Sequence, residues 1–139
     1  MPPTANSPNE VIQYLSVEQV PAIHEALINR YGGSRGIFNQ GLLESAVFRP
    51  QASAFGQDVY PTLFEKCAVF GYSLIQNHPF TDGNKRTGFA AMHLMLLING
   101  YDLTSTAKEE VTMAEKIASG KMRESAIVQW LKKYSKKKN

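Results

Sequence analysis

The stretch from Phe89 to Ile98 (FAAMHLMLLI) most limits what this chain can fold into. It is apolar nearly all round at helical spacing, and only His93 interrupts it. It is too short to span a bilayer, which takes about 20 residues. A helix apolar on every side sits inside a protein with other helices around it. The spacing predicts a helix that starts near Asn84 or Lys85, ends at Gly100 and forms the centre of the fold.

The remaining helices follow from caps and breakers. Ser16 and Gln19 form a capping box ahead of Val20, Ile23, Leu27 and Tyr31, and Gly32 and Gly33 end that helix. A second helix is expected from about Gln40 to Arg49, with Leu42, Leu43, Ala46 and Val47 inward, and Pro50 interrupts it. Residues 51–60 (QASAFGQDVY) lack a helical period and suit a loop or a short β-hairpin. Pro61 suits the first turn of a third helix that carries Leu63, Phe64, Cys67, Phe70, Leu74 and Ile75, and Pro79 breaks it after His78. Thr106 and Glu109 box the start of a fifth helix with Val111, Ala114, Ile117 and Ala118 inward. A last helix carries Ile127, Val128, Leu131 and Tyr134. The expected fold is all-α, a single-domain helical bundle around the central helix. A loose arm at 1–13 precedes the domain at 14–134, and a frayed basic tail at 135–139 follows it.

The 139 residues suit one core. The single cysteine, Cys67, allows no internal disulfide and reads as a core thiol in a reducing compartment. The N-terminus has no basic-then-apolar signal pattern, so a cytoplasmic address is expected. Charge is divided unevenly. From Lys121 onward seven Lys/Arg face one acid, giving +6, whereas residues 1–120 hold eight Lys/Arg and eleven acids, giving −3. A mildly acidic body argues against nucleic-acid binding, and the basic tail reads as a solvated helix end whose cations complement the dipole.

Just before the apolar stretch the chain reads HPFTDGNKRTGF, residues 78–89. This loop enters the N-terminus of the central helix, where unpartnered N–H groups and the macrodipole favour an anion. Gly83 lets a phosphate approach the backbone. Lys85 and Arg86 add full charges that disfavour the bare helix end and make sense beside a polyanion. Asp82 is a carboxylate of the kind that holds Mg²⁺ next to a phosphate. Histidine is the side chain that most often exchanges protons near neutral pH, so His78 could accept a proton from a hydroxyl. Taken singly, each has a plainer account: His78 as a helix-ending polar residue, Asp82 and Asn84 as caps, Phe80 as a core anchor. Together they spell transfer from a nucleotide. A P-loop order is absent, as are zinc-ligand spacing and a GxSxG elbow. His93 reads as a satisfied core histidine.

Residues His78-Pro79-Phe80-Thr81-Asp82-Gly83-Asn84-Lys85-Arg86 resemble the Fic/Doc signature, H-x-F-x-D/E-G-N-G-R-x-x-R in its Fic form. The likeness covers about residues 14–134, through LxxxxVPAIHEALINRYGG, LLESAVFRPQA, LFEKCAVFGYSLIQ and INGYDL. Lys85 stands where the Fic form has glycine, and Phe89 where it has a second arginine. Both look like the Doc (death-on-curing) branch, while Gly83 keeps the Fic form.

The resemblance implies a helical Fic/Doc domain whose residues 51–60 form a flap that positions a target segment by strand addition. It implies His78 as the base. Asp82 would hold Mg²⁺ or orient the hydroxyl, and Gly83, Asn84, Lys85 and Arg86 would hold the phosphates of ATP. Arg30 and Arg49 match basic positions near the cleft, and each equally suits a surface ion pair. The Doc branch implies a toxin that moves the γ-phosphoryl of ATP to a protein, by resemblance elongation factor Tu. The Fic branch implies adenylyl transfer, and a non-enzymatic binding module would have no need of His78 and Asp82. The family's inhibitory pattern S/T-x-x-x-E-G/N is approached only by Ser105–Glu109, which Glu110 follows. An antitoxin acting in trans is therefore expected.

Overall fold

The computed structural model describes residues 11–138. It is helical: α1 (Gln19–Tyr31), α2 (Gln40–Phe48), α3 (Leu63–Asn77), α4 (Asn84–Ile98), α5 (Ala107–Ala118) and α6 (Glu124–Tyr134). Between α2 and α3 a 3-10 turn at Arg49–Gln51 leads into a hairpin of β1 (Ser53–Ala54) and β2 (Gln57–Asp58). Of the two expectations for residues 51–60, a loop or a short hairpin, the hairpin forms.

Local signals place the elements. Ser16 and Gln19 bond reciprocally at 2.8 and 3.1 Å and set the turn before α1. Asn39 and Thr62 cap α2 and α3 through their side chains, so Pro61 lies just outside α3 rather than in its first turn. The Thr106–Glu109 box caps α5 as expected.

All six helices contribute to the core, and of the two that cross at its centre the more deeply buried one is α3. Eleven of its 15 residues are buried, against six of 15 in α4. The apolar stretch thus packs on α3 along one face and turns Phe89, Ala90 and His93 to a cleft on another. The two helices cross closely through paired glycines. A Cβ at Gly71 would lie 2.8 Å from Met92 Sδ, and one at Gly88 2.6 Å from Ile75 Cγ1. Cys67 is fully buried, as expected of a core thiol, and burial pushes its pKa up.

Both expected loose ends differ where they are described. Most of the arm, residues 1–10, lies outside the described residues. Gln13 exchanges two bonds of 2.9 Å with the Asn99 side chain, which cannot be filled by a free arm. The tail is not frayed. Ser135–Lys137 form β4, antiparallel to β3 (Tyr101–Leu103). Tyr101 and Ser135 are buried at this junction, and Lys138 N–H donates to Gly100 O at 2.8 Å. Lysine-rich composition suggested solvation, but backbone pairing with an open strand edge outweighs it. No helix among the described residues is long and apolar enough to cross a membrane.

Candidate active site

The loop between α3 and α4 is held in a fixed shape. His78 caps α3 with left-handed backbone angles (φ 50°, ψ 55°). A side chain is strained there, and a residue before proline is disfavoured in helical conformations. Neighbouring chain holds the turn in place. Pro79 O accepts from the N–H groups of Phe38 (2.8 Å) and Asn39 (3.1 Å), and Thr81 N–H donates to Gly36 O (3.1 Å). Phe80, bridged to Ile37, is the buried anchor expected of it.

Asn84 shapes the same loop. Its Oδ1 accepts from Phe80 N–H and its Nδ2 donates to Phe80 O, both at 3.0 Å. The side chain assigned to phosphate by resemblance is thus occupied in clamping a peptide unit, which leaves the residue its backbone N–H as a donor at the helix end. Gly83 starts α4 at φ 75° without a side-chain cap. The first-turn N–H groups of α4 have no intrahelical acceptor and remain for an anion.

Asp82 is oriented by two backbone donors. Its Oδ1 accepts from Gly83 N–H (2.8 Å) and its Oδ2 from Ser34 N–H (3.1 Å). Gly33 is required beside it, since a Cβ there would meet Asp82 Oδ2 at 2.8 Å. From the core, His24 stacks on Phe80 with ring centroids 4.0 Å apart, and its Nε2 bonds Asp82 O at 2.8 Å. Sequence reasoning missed His24. The expected inner face of α1 was Val20, Ile23, Leu27 and Tyr31, but the buried line is Val20, His24 and Ile28. Leu27 and Tyr31 face the cleft instead. The signal lay in HEALINRYGG: a histidine can enter the core when its polar atom has a buried partner.

His78, Asp82, Gly83, Asn84, Lys85 and Arg86 all line one cleft of about 860 Å³. Its walls are Leu27 and Tyr31 of α1, Phe89, Ala90 and His93 of α4, and one face of α5. That face presents Ala107, Val111, Ala114 and Ala118 with Glu110 and Glu115, so Val111, expected inward, is cleft wall. His93 is satisfied but not core: it is half-buried, and its Nε2 lies 2.9 Å from Asp102 Oδ1. Asp102's carboxyl is held below the usual range, chiefly by that bond. None of residues 51–60 lines the cleft. Arg49 is ion-paired to Glu124 at 2.7 Å, and Arg30 lies over Tyr31. Glu109, the acid nearest the inhibitory pattern, is bound by its capping box and Tyr134 Oη.

Among the described residues no carboxylate pairs with Lys85 or Arg86. Two exposed cations thus share a helix N-terminus with a fixed carboxylate and an exposed imidazole. A family model described as Fic/DOC matches residues 14–96. The chain belongs to the Fic/DOC family. It is 30% identical over 122 residues to the protein kinase doc of Escherichia phage P1, which covers 88% of this chain and 95% of that protein. It is 47% identical over 75 residues to Toxin Doc of Mycolicibacterium smegmatis, which covers 54% of this chain and 58% of that protein. The second match therefore spans less than two thirds of its relative's length.

Proposed function

We propose that this Fic/DOC chain is a Doc-type toxin that transfers the γ-phosphoryl of ATP to a hydroxyl of a protein target. The observation that carries the reading is the convergence of His78 with the unpaired Lys85 and Arg86 at the N-terminus of α4. His78 takes the proton of the target hydroxyl as its oxygen bonds to Pγ. The bond from Pγ to the bridging oxygen of Pβ breaks, and ADP leaves. Lys85, Arg86 and the first-turn N–H groups stabilise charge on the phosphoryl oxygens. The described residues hold no cluster of three His, Cys, Asp or Glu suited to a metal. The oriented Asp82 fits one ligand to Mg²⁺, an ion that takes its remaining ligands from phosphates and water. When bound, that ion neutralises phosphate charge.

Phe89 favours phosphoryl over adenylyl transfer. It lines the cleft and packs edge-on against Trp130 at 6.2 Å, so a fixed apolar ring stands where the Fic form has an arginine. Lys85 in place of glycine narrows the cradle in the same direction. The relatives named as a protein kinase and a toxin support both parts of the reading. Restraint is assigned to an antitoxin in trans, because no carboxylate of the described chain neutralises the cradle. The cytoplasm holds the nucleotide and the target, for which elongation factor Tu is our first candidate.

The test is label transfer into a bacterial lysate with Mg²⁺, using ATP labelled on the α- or the γ-phosphate. A γ-labelled protein band is expected, and His78→Ala should weaken it by about 10²- to 10⁴-fold, the usual contribution of a general base. An α-labelled band would overturn phosphoryl transfer in favour of adenylylation. A His78→Ala enzyme with full activity would remove the base assignment.

A further inference from the structure

Tyr31 ends α1 with its side chain more than half exposed (55%). The Arg86 guanidinium carbon lies 4.2 Å from the ring centroid, and that of Arg30 lies 5.3 Å from it. Among the described residues neither arginine has a carboxylate in ion-pair range. Two like charges gathered on one ring are an arrangement that an incoming anion relieves.

The ring is itself tied to the phosphate loop. Gly32 N–H closes α1 on Ile28 O at 2.8 Å, and the next residues, Gly33 and Ser34, pack against and bond the Asp82 carboxylate. The end of α1 and the start of α4 therefore form one unit, with Tyr31 on one side and Arg86 on the other. A free arginine loses rotamer freedom when it grips a ligand, and a surface that orders it beforehand removes that cost from binding. The electron-rich face of a tyrosine does this for a guanidinium.

We propose that Tyr31 is a positioning residue for Arg86: its ring presets the guanidinium in the cleft for the phosphates of the nucleotide. The proposal rests on the nucleotide reading above and adds to it a residue outside the signature loop. Tyr31 acts through its face, so the ring matters and the hydroxyl does not.

The experiment is calorimetric titration of the full chain with MgATP, made with Tyr31→Phe and Tyr31→Leu in the native and the Arg86→Ala backgrounds. Tyr31→Leu should weaken binding about three- to fivefold, the size of an exposed cation–π contact. Tyr31→Phe should restore the affinity, and in the Arg86→Ala background Tyr31→Leu should have no further effect. In steady-state transfer the KM for ATP should rise with Tyr31→Leu while kcat is kept. Melting curves will show all variants folded, because the side chain lies at an exposed helix end. If Tyr31→Phe is as weak as Tyr31→Leu, or if Tyr31→Leu costs as much without Arg86 as with it, the positioning role is overturned. A native chain that binds no MgATP overturns the nucleotide reading itself. A native chain that binds well whatever stands at 31 overturns only the role of Tyr31.

Discussion

Arg49 and Arg86 both place their guanidinium groups over tyrosine rings, Arg49 over Tyr60 (5.6 Å) and Tyr72 (5.8 Å), Arg86 over Tyr31 (4.2 Å). Around Arg49 every direction is also answered by an acceptor: Glu124 Oε2 at 2.7 Å, Ser73 Oγ at 2.9 Å and Tyr60 Oη at 3.2 Å. Burial alone would lower its pKa, but the bonds to Glu124 and Tyr60 outweigh that and raise it. The group ties the 3-10 turn, α3 and the start of α6 together. Around Arg86 no carboxylate answers, and the charge stands on a helix end that disfavours it. Cations of the same type thus stand in two different settings. The paired one ties three elements together, and the unpaired one is, in the function proposed above, kept for a ligand.

Exchanging each arginine for methionine should separate the two roles. Arg86→Met should lower MgATP affinity about tenfold to a hundredfold, the range of one or two charge-assisted bonds, with no fall in melting temperature, since the helix end is relieved of a like charge. Arg49→Met should do the reverse, leaving MgATP affinity as it was. Denaturant unfolding should show a loss of about 2 kcal/mol, between the values for an exposed and a buried ion pair because the group keeps contact with water. Calorimetry and urea titration on both variants check the pair of effects. A loss of affinity in Arg49→Met would place Arg49 in the cleft after all and erase the distinction.

That Asp82, Gly83, Lys85 and Arg86 meet at the start of α4 was legible because the signals are local. A glycine, two adjacent cations and a carboxylate at a helix start read as a candidate anion site wherever they occur. A non-helical segment at 51–60, loop or hairpin, could be read from lost helical period, and several helix starts and stops from caps and breakers. What was not legible depends on distant chain. Nothing near Asn84 says that its side chain will clamp Phe80 rather than cap the helix or meet a phosphate. Nothing near His24 says that Phe80 and the Asp82 carbonyl will receive it. The same holds for Tyr31 and Val111, whose apolar surface was assigned to the core and instead lines the cleft, and for the tail, whose lysines concealed a strand that only the edge of β3 could reveal. Periodicity reports that a face is apolar, not whether it meets the core or a binding site.

Strain sharpens the contrast between the two regions. His78 adopts φ 50° before a proline, whereas Arg49 and its partners Tyr60, Ser73 and Glu124 all keep negative φ; the other side-chain-bearing residue with positive φ among those described, Phe55 (54°), lies at the hairpin turn. The left-handed region costs a side-chain-bearing residue about 1–2 kcal/mol, and glycine escapes this at some cost in chain entropy. His78→Gly should therefore stabilise the protein by about 1 kcal/mol while removing transfer activity. Urea unfolding beside the label-transfer assay reads both. A destabilised glycine variant would mean that the imidazole supports the fold and that the strain is not the cost of a functional position.

The smallest effect lies in the acid limb. Burial would raise the pKa of Glu124, but a backbone N–H at the start of α6, then Arg49, more than offset it, so the folded value is depressed. The sign follows from linkage. A carboxyl that is more acidic when folded adds stability that is present in full above its unfolded pKa and is lost as pH falls through the folded one. Unfolding free energy should thus fall as pH drops below about 4.5, the ordinary value for this group. In Arg49→Met that slope should become shallower without vanishing, because the backbone N–H remains. An identical slope in both proteins would show that the helix end alone sets Glu124, and that Arg49 is paired in geometry but not in energy.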